Sequence, residues 1–118
     1  MEFDEAIDRV TEELKKEGFG VLTEIDAKQT LKKKLDVDFR NYRILGACNP
    51  TLAHKALTCE DNIGLMMPCN VVVQDKTGGG VEIAAIDPFA SIASVGNSQL
   101  EPIANEVREK LKKVIDAT

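Results

Sequence analysis

Two short blocks of this sequence carry side chains able to do chemistry: Gly46-Ala47-Cys48-Asn49-Pro50 and Pro68-Cys69-Asn70. Each sets a thiol directly before an amide. A thiol acts as nucleophile or metal ligand in its thiolate form, and the positive end of a helix dipole favours that form. Asn49 is a favoured N-cap, and Pro50 suits the first helical position, where its missing N–H would have had no intrahelical partner. Cys48 is therefore expected where a strand hands over to a helix, the placement of many reactive cysteines. Cysteine is also among the most buried residue types, so the same placement fits an inert core thiol. Both readings stand at this stage.

The candidate ligand-binding set is Cys48, Asn49, Pro50, His54, Pro68, Cys69 and Asn70, around a pocket where Cys48 and Cys69 meet. The two asparagines offer amides to a small polar ligand, although Asn49 is more simply a cap. His54 offers Cys48 a base, but no third group that would orient its imidazole can be named. Joined by His54 and by Met66 or Met67, the two thiols would make a soft nitrogen and sulfur metal site. The spacing matches no zinc finger or ribbon, so no metal is assigned. Gly78-Gly79-Gly80 fits neither the dinucleotide nor the P-loop template and reads as a hairpin turn, so no cofactor is expected. Cys59 needs no role.

The elements that must hold these blocks follow from periodicity. Phe3, Ala6, Ile7, Val10 and Leu14 form the apolar stripe of a helix that Gly18 stops. Phe19 to Ile25 reads as a strand. Asp26 with Gln29 resembles a capping box and opens a short basic helix to about Lys34. Tyr42 to Cys48 alternates as a strand, with Tyr42, Ile44 and Cys48 on one face and Arg43, Leu45 and Ala47 on the other. The helix after Asn49 turns Leu52, Ala53, Ala56 and Leu57 inward. The apolar run from Ile63 to Gln74 is interrupted by Pro68, which predicts a bulge or an edge position there and a regular strand from Asn70. Lys76 to Gly80 is a turn, Val81 to Ile86 the returning strand, and Phe89 to Val95 a weakly helical segment. Ser98 and Glu101 predict a capping box for a long last helix, whose stripe runs from Leu100 through Val107 and Leu111 to Ile115.

The bulk numbers bound the answer. A chain of 118 residues, 43% hydrophobic and 30% charged, builds one folded domain. With a net charge of −5, no tryptophan and 1 tyrosine, a nucleic-acid partner is not expected, because such binding rests on basic charge and on aromatic stacking. No apolar stretch is long enough to span a membrane, and the acidic start lacks the basic character of a signal peptide. The 3 cysteines, an odd number without regular spacing, fit free thiols in the reducing cytoplasm.

The stretches Tyr42 to Pro50, Leu52 to Leu57 and Leu65 to Val73 closely resemble the family called domain of unknown function 302. Phe3 to Ala6, Gly18 to Asp26 and Ala85 to Pro88 fit as well, so the likeness covers essentially the whole chain, 1–118. The resemblance implies a single α+β domain similar to half of the TATA-box-binding-protein fold: an antiparallel sheet with the long C-terminal helix on one face. It implies bacterial or archaeal cytosolic proteins that tend to be homodimers, and no established activity. The family blocks carry over to Cys48, Asn49, Pro50, Pro68, Cys69 and Asn70 as positions rather than as catalysts. Members usually have a strand before the first helix, for which Met1-Glu2 leaves no room. Either that strand lies outside this sequence or the sheet has an uncovered edge able to recruit a second chain. The functions open to such a chain are a ligand-binding or accessory module and, as alternatives, a thiol-dependent enzyme, a redox sensor or a soft-metal site.

Overall fold

The computed structural model describes residues 1–93 and 95–118. Four strands pair in the order β1-β2-β3-β4, all antiparallel: β1 (Gly20–Asp26), β2 (Tyr42–Cys48), β3 (Cys69–Asp75) and β4 (Val81–Ala85). Around them run α1 (Phe3–Lys16), α2 (Ala27–Leu35), α3 (Pro50–Cys59), α4 (Pro88–Ala93) and the long α5 (Glu101–Ala117). The chain is of the α+β class, as its sequence implied.

One face of the sheet is buried because two helices supply matching stripes. Phe3, Ala6, Val10 and Leu14 of α1 and Val107, Leu111 and Val114 of α5 recur every three or four residues, so each set lies on a single side of its helix. They pack on Leu45 and Ala47 of β2 and on Val71 and Val73 of β3. Gly18, at φ +84°, ends α1 and turns the chain into β1, a conformation that glycine reaches without a Cβ clash. The termini of α2 and α3 are capped as expected. Asp26 accepts from the Gln29 N–H at 3.0 Å, and Asn49 accepts from the Leu52 N–H at 3.2 Å.

Among the described residues, the other face is less fully buried. Paired residues of neighbouring strands share a face, so the register places Ile25, Ile44, Val72 and Ala84 in one row across all four strands. Ile25 remains 49% exposed. The helix nearest β1 and β2, α2, buries none of its own residues.

Three local expectations are corrected. Pro68 introduces neither a bulge nor an edge: it precedes β3, an interior strand, after a cis Met67–Pro68 peptide, and the ladder's irregularity falls in β1 between Val21 and Thr23. Leu57 does not turn inward but is 44% exposed; the residues that α3 buries are Leu52 and Ala56. The last helix is not entered through a Ser98 cap. A single 3-10 turn, Ser98–Leu100, intervenes, and the Asn97 side chain accepts from the Gln99 N–H at 3.0 Å. Ser94, part of the expected helical segment at Phe89 to Val95, lies outside the described residues.

Candidate functional site

The second apolar cluster is small: Ala56 of α3, Ile63 of the 3-10 turn Ile63–Met66, and Leu100, with Met67, Ile92 and Ile103 half-buried against it. It meets the main core along a seam, and at that seam the packing is incomplete. A cavity of about 50 Å³, measured as room for the centre of a water-sized sphere, opens there, with Phe19, Ala47 and Leu52 on the core side and Ile63, Met67 and Ile103 on the other. That exceeds the roughly 10–15 Å³ one water needs by the same measure. Its walls are almost wholly apolar.

Cys48 and Cys69 both line this cavity. The strand register sets Cys69 directly opposite Ala47, one residue from Cys48, and α3 leaves the end of β2 through the Asn49 cap. Both thiols are half-buried and, like Cys59, free of any disulfide. Burial pushes the Cys69 thiol above its ordinary value, and Cys48 raises it further. Desolvation penalises the charged form, so Cys69 is held as a neutral thiol.

The remaining candidates divide clearly. Asn49 and Pro68 line the cavity as well; Pro50, His54 and Asn70 are exposed and stand outside it. The amide of Asn49 is already committed at both ends. Its oxygen caps α3, and its nitrogen donates to the Glu17 carbonyl at 3.3 Å, tying the end of α1 to the start of α3. Asn49 is thus a structural bracket between three elements. Pro68 fills the space over Gly46, where an added Cβ would collide with Thr23 Oγ1 and lie 2.7 Å from Pro68 Cγ. The glycine is needed for that close approach.

His54 faces solvent on α3, so the metal alternative built on Cys48, Cys69 and His54 lacks its nitrogen ligand. Among the described residues no group of three His, Cys, Asp or Glu side chains could hold a metal ion. Also among them, no helix is long and apolar enough to cross a membrane.

Sequence reasoning missed most of the apolar wall. Leu52, Ile103 and Val107 were legible as helix-stripe residues, but nothing in a helical period says that two stripes fail to close on each other. Ile92 sits in the weakly patterned segment after Pro88, where no signal pointed to a cavity.

Comparison with known proteins agrees with this architecture. Residues 1–118 match a family model described as domain of unknown function DUF302. No curated protein matches the chain. Among solved structures it is similar to the crystal structure of the uncharacterized conserved protein DUF302 from Bacillus stearothermophilus. The two share 30% sequence identity, with 99% of this chain and 91% of that chain covered and a TM-score of 0.91.

Proposed function

This chain belongs to the DUF302 family, and on that footing we propose that it is a small cytoplasmic, homodimeric ligand-binding or accessory module whose ligand occupies the seam cavity. The observation that carries the reading is the cavity itself, an apolar space flanked by two free thiols at the junction of β2, β3 and α3. Apolar walls select by shape and exclude charge, since an unpaired charge brought there would lose its hydration without compensation. The ligand class is therefore a small, largely hydrocarbon molecule or the apolar end of a longer one. Free thiols suit a reducing compartment.

Xenon tests the reading, because it enters dry apolar cavities and needs no polar partner. Crystals of the wild type under xenon pressure are expected to hold an atom between Cys48, Ala53 and Cys69. Crystals of Ala53→Leu, whose longer side chain fills the space, are expected to hold none. Wild-type crystals without xenon at this seam would overturn the proposal.

A thiol-dependent or redox role is the second reading, supported by the place of Cys48 as the last strand residue before a capped helix N-terminus. The raised Cys69 thiol argues against Cys69 as the nucleophile. If Cys48 is the working group, Cys48→Ala abolishes reaction with peroxide while Cys69→Ala retains it.

A further inference from the structure

We infer that the free edge of β4 takes up an extended segment of a partner polypeptide as a fifth strand, with the segment's apolar side chains seated in the groove between that edge and α5. The inference goes beyond the ligand-binding reading and does not use its cavity. The groove and the seam cavity have no described lining residue in common.

The alternation of the ladder fixes which backbone groups of β4 face outward. The Lys76 N–H donates to the Gly80 carbonyl at 2.9 Å, and the Ile86 N–H to the Asn70 carbonyl at 3.1 Å. Hydrogen-bonded pairs recur at every second residue of an antiparallel ladder, so the bonded pairs between these two are Gln74 with Glu82 and Val72 with Ala84. Val81, Ile83 and Ala85 therefore turn their N–H and C=O groups away from β3, and β4 is the last strand of the sheet. Among the described residues no other backbone group takes them up. Their side chains pack against the main core. Edges that must stay single are blunted by a proline, a bulge or an inward charge. At the opposite edge, β1 has a bulge between Val21 and Thr23 and carboxylates at Glu24 and Asp26 held by Arg43. By contrast, β4 keeps an unbroken register, has no proline and turns only apolar side chains to the core.

Beside that edge lies a groove in two parts. Toward Val81, a hollow bordered by Met1, Ala6, Ile83 and Ile115 has about 260 Å³ of room for the centres of water-sized spheres. Toward Ala85, a hollow bordered by Ala84, Ile86, Leu111 and Ile115 has about 330 Å³ by the same measure. Ile115 borders both, so the two run together along β4. The rim bears both signs, Arg108 and Lys112 with Asp87 and Asp116, and so selects no net charge. The edge decides the occupant. Its outward groups recur at every second residue, about 6.6 Å apart, which is the repeat of an extended backbone. A helix satisfies its N–H and C=O groups internally, and a small ligand does not match the series. Only an extended segment sets N–H against C=O along the whole edge. Main-chain pairing leaves alternate side chains of that segment on the groove side, where Leu111 and Ile115 favour apolar ones.

The probe is a synthetic peptide in which valine alternates with threonine, titrated into the full chain. In the free protein, hydrogen exchange read by NMR is expected to be fast at the Val81, Ile83 and Ala85 amides and slow at Glu82 and Ala84, which β3 already holds. With the peptide bound, exchange at Val81, Ile83 and Ala85 is expected to slow at least ~10-fold. The same peptide N-methylated at every residue cannot donate to the edge and is expected not to bind. Ala85→Pro removes one outward donor, a change that an edge strand tolerates. It is expected to weaken peptide binding at least ~10-fold with an unchanged circular dichroism spectrum. The inference is overturned if the three amides are already protected in the free protein, whether by this chain or by a second copy. It is equally overturned if the peptide does not bind, if the N-methylated peptide binds as well, or if folded Ala85→Pro binds as the wild type does. Should Ala85→Pro not fold, the N-methylated peptide still decides. Xenon occupancy of the seam cavity reads the ligand proposal separately, so the two can fail independently.

Discussion

The two apolar clusters of this domain are built from the same kinds of side chain and differ in how they close. In the main core, α1 and α5 bring regular stripes onto two interior strands, and Ala6, Val10, Leu14, Val71 and Val73 retain no exposure at all. In the second cluster, a ten-residue α3, one 3-10 turn and the six-residue α4 meet, and Leu65 of that 3-10 turn is left 84% exposed. Long stripes on a sheet fill space; short elements joined by turns leave gaps. The candidate site lies where the second kind of packing abuts the first.

Substitutions can break or sharpen this contrast. The largest effect is expected in the closed region: Leu14→Ala removes a fully buried side chain that neighbours cannot replace, costing about 2–5 kcal/mol in denaturant unfolding. Next comes the close approach that shapes the site. Gly46→Ala drives a methyl into Thr23 and Pro68 and is expected to cost about 1–3 kcal/mol, by the same measurement. Asn49→Ala loses the α3 cap and the tie to Glu17, for about 1–2 kcal/mol, and loosens the cavity mouth with it. A loss as large as that of Leu14→Ala would show that the seam is as tightly packed as the core.

Smallest is a pH effect confined to the seam. The folded state holds Cys69 protonated beyond its ordinary value, while the unfolded chain releases that proton at the ordinary value of about 8.5. Above that pH the unfolded state binds fewer protons, so stability falls as pH rises. Below it the contribution is fully retained. Cys69→Ala is expected to flatten the alkaline limb of the stability profile and leave the neutral region unchanged in slope.

The same contrast explains what could be read without coordinates. The stripe of α1, the alternation of β2, the Asn49 cap with Pro50, and the glycine hairpin all depend on residues within one or two turns of each other, and each appeared where expected. Pro68 was misplaced because its role depends on Gly46 and Thr23, distant in sequence. Leu57 was misplaced because a short helix with few neighbours does not bury its whole apolar side. His54 was drawn into the candidate set by its chemistry alone, and its place on the solvent side of α3 removed it. Cys48 and Cys69 could be named from their blocks, but the cavity they line rests on Ile63, Ile92 and Ile103, whose meeting no local pattern encodes.

The central claim is that Cys48 and Cys69 front one shared apolar space, and alkylation of the three cysteines by N-ethylmaleimide, followed by mass spectrometry, tests it most directly. Filling the space with Ala53→Leu is expected to slow modification of Cys48 and Cys69 together by several-fold while Cys59 reacts as in the wild type. Unchanged rates at both, or a change at only one of them, would contradict the claim.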